Sequence, residues 1–172
     1  MGEVFRGIDP NLAMSLSKTH NFEVFVETGT FMGKTASWAS HIFRRVYTIE
    51  RHEEFYENLK VSLAEYPNVY LFLGNSSEKL YEIFHDFETS ALVWLDAHWS
   101  RDLGYSRPDI ICPILSEIEV LRNDGRDHAI MVDDARLFGI ESGWPSLKEV
   151  KKALSFADRN VFILNDIIVS IP

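Results

Sequence analysis

Apolar and polar positions along this chain form blocks that predict strands and helices in alternation. Short β-branched and aromatic runs are followed by stretches whose apolar residues recur every three or four positions, which is the spacing of one helix face. Strands are predicted at 23–28, 45–50, 69–73, 91–96 and 129–134, and helices at 33–43, 52–64, around 80–87, 114–121 and 145–157. The run Ala91–Asp96 is apolar on both faces, which is typical of a central strand in a parallel sheet.

The end of the chain follows a different pattern. Two further strands are predicted at 160–165 and 167–171, and almost nothing lies between them. A link this short permits only antiparallel pairing. The sequence therefore predicts an α/β, doubly wound, Rossmann-like fold whose mostly parallel seven-stranded sheet ends in an antiparallel hairpin.

Length and composition favour one domain over residues 1–172, with residues 1–21 as a short N-terminal extension that contains a possible helix around Leu12 to Ser17. The net charge of −9 and the pI near 5.1 argue against nucleic acid as a partner. The single cysteine, Cys112, cannot form an intramolecular disulfide. No leader-like segment or membrane-length apolar run is present in the sequence, so we expect a soluble, cytoplasmic protein with no membrane partner.

The segment Val24–Thr35 is the most informative part of the chain, because a buried strand leads there into a glycine turn and then a helix. Gly29 and Gly33 allow the backbone to turn tightly and to approach a ligand. Glu27, at the strand end, is placed to meet a cationic group. Glu50 closes the next strand, where a carboxylate can accept hydrogen bonds from both hydroxyls of a ribose. The alternative for the glycines is a purely structural turn, and the alternative for Glu50 is an acid at a strand end with no role in binding.

Three carboxylates follow the fourth and fifth predicted strands. Asp96 closes one strand, and Asp133 and Asp134 close the next. Neighbouring parallel strands would bring these acids to one edge of the sheet, where their like charges need a cation or protons to neutralise them. Oxygen ligands of this kind suit Mg²⁺, so a tentative magnesium site is predicted. The alternative is a set of metal-free aspartates that cap helices and bind loops.

The chain resembles class I S-adenosylmethionine-dependent methyltransferases, and it is most similar to their small, metal-dependent catechol O-methyltransferase-like group. The loop Glu27–Thr35 matches that group's pattern of acid, any residue, glycine, three residues, glycine, any residue and Ser or Thr. The likeness runs from about residue 22 to the end of the chain and includes several motifs in the expected order. The resemblance implies an O-methyltransferase that uses S-adenosylmethionine, with the following cofactor-binding residues: Glu27, Gly29, Thr30, Phe31, Gly33, Thr35, Glu50, Asn75, Ser76 and Asp96.

Within this resemblance, the glycine corner holds the methionine part of the cofactor, while Asn75 and Ser76 lie where the family contacts adenine. Asn and Ser after a strand are equally typical of plain turns or helix caps. The resemblance also places the metal on Asp96, Asp133 and Asp134. The family has an asparagine at the position of Asp134, so this chain carries one more negative charge there.

The predicted catalytic residues are Asp96 and His98. The related group uses a lysine base shortly after its first metal aspartate, but this chain has no lysine there, and His98 is the obvious replacement. His98 has three open interpretations: a general base, a further metal ligand or a hydrogen-bonded loop residue. Trp99 is either part of the acceptor pocket wall or a packed loop aromatic, and Glu117 either supports the acids or lies on a solvated helix face. Arg136 either binds an anionic acceptor or forms a salt bridge with the acids.

Two other classes remain open. The loop Gly29–Thr35 closely resembles the phosphate-binding P-loop motif, but three residues separate its glycines where that motif needs four. A non-catalytic cofactor-binding module of the same fold is the second alternative. By family analogy the acceptor is a sugar hydroxyl of a glycan or a small molecule, with catechol-type phenols next. A short N-terminal segment leaves the acceptor pocket open or completed by a second subunit, so a homodimer is possible.

Overall fold

The structure is a computed structural model that describes residues 7–99 and 110–172. Predictions that concern residues 1–6 and 100–109 lie outside the described residues. The strands are β1 (Val24–Thr28), β2 (Arg45–Glu50), β3 (Val69–Leu73), β4 (Leu92–Leu95), β5 (Ala129–Val132), β6 (Asn160–Leu164) and β7 (Ile167–Ile171). The helices are α1 (Pro10–His20), α2 (Lys34–Ser40), α3 (Glu53–Ser62), α4 (Ser76–Phe84), α5 (Ile114–Asp124) and α6 (Leu147–Leu154).

The strands form one sheet in the order β3-β2-β1-β4-β5-β7-β6. β1 to β5 pair in parallel, and β7 lies antiparallel between β5 and β6. Asn165 and Asp166 join the last two strands, and both have positive φ angles, 49° and 67°, as the tightest hairpin turns require. The predicted fold class and its C-terminal hairpin are therefore confirmed.

The core lies on both faces of this sheet. All four residues of β4 are buried, as expected for a central strand covered by helices on either side. One apolar cluster includes Val93 and Ile118 from β4 and α5, and another includes Trp94 with Ala13 from α1. The N-terminal segment thus contributes to the core through α1.

Several element boundaries differ from the predictions, each for a local reason. α1 is longer than the predicted Leu12 to Ser17, because the side chain of Asp9 caps its first turn by accepting from the backbone N–H groups of Asn11 and Leu12 at 3.0 and 3.1 Å. α6 stops at Leu154 because Ala157 has a left-handed φ of 52° that cannot continue a helix.

α2 ends at Ser40, earlier than the predicted residue 43. The side-chain amide of Asn68 donates to the carbonyl oxygens of Ser40 and Phe43 at 2.8 and 2.9 Å, which satisfies groups that a longer helix would have used itself. In the described parts of the chain, none of the helices combines the length and the apolar character that crossing a membrane requires.

Candidate active site

A cavity of about 370 Å³ lies at the carboxyl ends of the parallel strands, which is where ligands bind in open α/β sheets. Its size is in the range of small-molecule sites. Six of the predicted cofactor residues line it: Gly29, Phe31, Glu50, Asn75, Ser76 and Asp96. The predicted residues Glu27, Thr30, Gly33 and Thr35 do not line it.

Glu50, at the end of β2, is the best-fixed polar group of the cavity. One carboxylate oxygen accepts from the backbone N–H of Phe31 at 2.9 Å, and the other accepts from the backbone N–H of His52 at 2.7 Å. The residue is only 7% exposed. A carboxylate oxygen can accept more than one hydrogen bond, so both oxygens remain able to accept from a ligand.

Gly29 brings the ends of two strands unusually close. Its φ is +83°, and a Cβ atom there would lie 2.3 Å from the carbonyl oxygen of Asp96. No side chain fits between these backbones, so the glycine is required by the geometry of the corner. Gly33 is tight for a different reason, since a Cβ there would lie 2.8 Å from a methyl group of Leu59 on α3.

The backbone N–H groups of the glycine loop are already used within the protein. Those of Gly29 and Thr30 donate to the carbonyl of Ile49, and that of Gly33 donates to the carbonyl of Thr30. The N–H of Phe31 is held by Glu50. A P-loop keeps such groups free to surround phosphates, so this loop does not favour a nucleotide hydrolase or kinase.

Glu27 lies beneath the cavity and is 2% exposed. It accepts from the hydroxyl of Thr48 at 2.6 Å, and Thr48 is in turn 2.7 Å from the hydroxyl of Thr30. Burial raises the pKa of Glu27 to about 8, and hydrogen bonds from Thr48 and Thr35 only partly oppose this effect. Glu27, Thr48 and Thr30 thus form one buried polar network next to the glycine loop, and the half-buried Thr35 also hydrogen-bonds to Glu27.

The start of α4 forms another side of the cavity. Asn75 caps the helix by accepting from the backbone N–H of Ser77 at 3.0 Å, and Ser76 is buried. Glu117, on α5, is 1% exposed, so the solvated-face interpretation of this residue is wrong. Burial raises the pKa of Glu117 to about 7, although hydrogen bonds from Ser76 and Thr28 oppose the rise. One oxygen of Glu117 has no hydrogen-bond partner among the described residues.

The acids predicted at the ends of β4 and β5 do meet at one edge of the sheet. Burial, followed by the charges of Asp133 and Glu27, raises the pKa of Asp96 well above its usual range. Burial and the neighbouring charge of Asp134 raise the pKa of Asp133 to about 6. Burial alone would also raise the pKa of Asp134, but His98 and Arg136 outweigh it and lower that pKa.

His98 and Arg136 lie among these acids. The imidazole Nδ1 is 3.3 Å from a carboxylate oxygen of Asp96, and Nε2 is 3.0 Å from one of Asp134. Arg136 contacts the other oxygen of Asp134 at 2.6 Å and also pairs with Asp166. The salt-bridge interpretation of Arg136 is therefore confirmed, and of the three interpretations of His98 this arrangement favours a bonded loop residue.

The predicted metal ligands do not fit a magnesium ion in this arrangement. The two oxygens of Asp134 lie beside a ring nitrogen of His98 and the guanidinium of Arg136, and an oxygen of Asp133 accepts from the backbone N–H of Asp134 at 2.7 Å. Within residues 7–99 and 110–172, no group of three or more His, Cys, Asp or Glu side chains could hold a metal ion. We therefore derive no chemical step through a metal.

Several lining residues were missed by the sequence analysis. Arg51 and His52 directly follow Glu50, and Phe55 was assigned only to the apolar face of its helix. The aromatic rings of Phe31 and Phe55 lie 5.4 Å apart, edge to face. Only their position directly after Glu50 in the sequence could have indicated that Arg51 and His52 line the cavity. Trp99, which the sequence left open, also lines the cavity.

No protein-family model and no curated protein matches this sequence. Solved structures do match. A proposed caffeoyl-CoA O-methyltransferase from Staphylococcus aureus has a TM-score of 0.64 at 18% identity, covering 95% of this chain and 84% of that one. A proposed methyltransferase from Streptococcus mutans, in complex with SAH, has a TM-score of 0.60 at 13% identity, covering 96% and 99%.

A methyltransferase from Podospora anserina, bound to SAH, has a TM-score of 0.64 at 14% identity, covering 93% of this chain and 75% of that one. These identities are low, so the likeness concerns the path of the backbone. The strand order and the reversed β7 agree with it. The chain therefore has the fold of class I S-adenosylmethionine-dependent methyltransferases.

Proposed function

We propose that this chain is an S-adenosylmethionine-dependent methyltransferase that methylates a hydroxyl group of a small-molecule or glycan acceptor. The observation that carries the proposal is the carboxylate of Glu50, held by two backbone N–H groups at the wall of the cavity. Two structures with the same fold contain SAH, the demethylated cofactor, which supports an adenosine-bearing ligand in this cavity.

The nucleoside end of the ligand is assigned to the β2 side of the cavity. Glu50 accepts hydrogen bonds from the two ribose hydroxyls, for which its fixed orientation is already suited. Phe31, His52 and Phe55 supply aromatic surface beside it, which suits a flat purine ring. Asn75 and Ser76, at the start of α4, border the same region.

The sulfonium end is assigned to the corner between Gly29 and Asp96. Gly29 and Asp96 both line the cavity there, Gly29 lets the two strand ends lie close together, and the carboxylate of Asp96 favours a positive charge nearby. When bound, the cofactor supplies a methyl group on a positively charged sulfur. The amine is the other cationic group of the cofactor, and the carboxylates at the ends of β4 and β5 also favour its binding.

Asp96 is also the proposed general base. Its raised pKa makes the ionised carboxylate a better proton acceptor than an ordinary aspartate. The bound cofactor would supply its methyl group to the acceptor oxygen, and Asp96 would accept the proton of the acceptor hydroxyl. Trp99 has a buried indole N–H without a partner among the described residues, which makes it a donor available to the acceptor.

Titration calorimetry with SAH tests this proposal. We expect the wild-type protein to bind SAH and Glu50→Gln to bind it roughly 10- to 100-fold more weakly, because hydrogen bonds to a charged group are worth about 1.5–3 kcal/mol. Glu65→Gln, a change at an exposed acid, is the matched control and should bind like wild type. Thermal unfolding of each variant shows whether the fold is retained.

A wild-type protein that binds Mg²⁺–ATP tightly and does not bind SAH would overturn the proposal. So would unchanged SAH affinity in folded Glu50→Gln. Binding of SAH without methyl transfer to any hydroxyl acceptor would leave a non-catalytic module as the function.

A further inference from the structure

The carboxylates at the edge of β4 and β5 face basic side chains of the protein itself. Asp96, Asp133 and Asp134 lie at these strand ends, and Asp166 joins them from the turn between β6 and β7. Four acids this close are unfavourable unless positive charge accompanies them. Arg136 supplies a permanent positive charge there, and both ring nitrogens of His98 face carboxylates.

Each carboxylate oxygen of Asp134 lies beside a side-chain nitrogen. One of its oxygens lies 3.0 Å from Nε2 of His98, and the other lies 2.6 Å from Nη1 of Arg136. The carboxylate is only 16% exposed, so little of it is left to solvent. The positive charge of Arg136 beside Asp134 opposes the approach of a second cation.

His98 links the two strands. Its other ring nitrogen is 3.3 Å from Asp96, and its ring packs against Trp144 with centroids 4.6 Å apart. Both ring nitrogens therefore lie beside carboxylates, so His98 would have to move to act as a metal ligand.

We propose that Arg136, as a permanent cation, and His98, as a partner of two carboxylates, occupy this acidic edge, so that the site binds no divalent cation and works without one. In this arrangement His98 is a positioning residue: it holds Asp96 at the cavity wall from the side of β5. The proposal deepens the proposed function but concerns the acids alone, and cation binding tests it independently of SAH.

Mn²⁺ titration followed by electron paramagnetic resonance measures free and bound ion directly. We expect wild-type protein to bind no Mn²⁺ at this edge up to millimolar concentrations. The double variant His98→Asn/Arg136→Ala leaves the acids uncompensated and adds an amide oxygen, so it should gain one Mn²⁺ site and bind at least tenfold more tightly than wild type. His85→Asn/Arg44→Ala, at exposed positions, is the matched control and should behave like wild type.

One tightly bound Mn²⁺ per wild-type chain, lost in Asp134→Asn, would overturn the proposal even if the double variant failed to fold. A second measurement uses wild type alone: SAH affinity should be equal within about twofold in Mg²⁺ and in EDTA. A tenfold or larger gain from Mg²⁺ would contradict the proposal. Failure to bind SAH in either buffer would instead count against the proposed function.

Discussion

Glu27 gives the sharpest prediction, because burial raises the pKa of this carboxyl group from 4.5 to about 8. The unfolded chain releases the proton near pH 4.5, whereas the folded protein keeps it until about pH 8. The unfolded state therefore binds fewer protons throughout this window, and stability falls as the pH rises. The whole difference corresponds to roughly 5 kcal/mol, or about 1.4 kcal/mol for each pH unit.

Glu27→Gln removes this titration and keeps an oxygen that can accept from Thr48. We expect the free energy of unfolding of the wild type, relative to the variant, to fall by roughly 2–3 kcal/mol between pH 5.5 and 7.5. Urea unfolding at a series of pH values measures it. Glu117 and Asp133 also have raised pKa values but are present in both proteins, so the difference between the two curves reports Glu27 together with its charge coupling to Asp96.

Glu65→Gln, at an exposed position, is the control and should give a curve parallel to that of wild type. A constant stability difference between wild type and Glu27→Gln across this pH range would refute the reasoning. It would mean that Glu27 is ionised in the folded protein and that the threonine network, rather than a proton, compensates its burial.

Two further predictions concern backbone geometry and acid stability. Gly29→Ala should destabilise the protein by several kcal/mol more than Gly125→Ala. Both glycines have a positive φ, but only a Cβ at Gly29 would lie 2.3 Å from the carbonyl oxygen of Asp96. Equal losses of stability in thermal unfolding would contradict this prediction. Burial opposes ionisation of Asp124, but the hydrogen bond from His128 and the charge of the adjacent arginine outweigh burial and lower the pKa of Asp124. The ionised carboxylate therefore stabilises the folded protein above about pH 4, and this stabilisation is lost in acid. Asp124→Asn should therefore lose stability at pH 7 and show a shallower fall below pH 4, measured by acid unfolding.

Much of the fold could be predicted because local patterns determined it. The apolar run of β4 is buried on both faces, and the two-residue link at Asn165 and Asp166 permits only a hairpin. Glu50 could be found for the same kind of reason, since an acid at a strand end in this fold faces the ligand edge. These signals lie within a few residues of the features that they predict.

The rest of the site depends on contacts between distant parts of the chain. No local pattern shows that the loop after β4 brings His98 between Asp96 and Asp134, or that Arg136 takes the remaining oxygen. The burial of Glu117 depends on which face of α5 packs against the sheet. Since charge compensation is decided by such contacts, the sequence alone could indicate an acidic edge but not what neutralises it.

The most direct test of the central claim is a crystal structure of the protein saturated with SAH. The account predicts SAH in the cavity, with both ribose hydroxyls hydrogen-bonded to Glu50 and the sulfur at the corner between Gly29 and Asp96. An empty cavity under saturating SAH, or SAH bound away from Glu50, would contradict it.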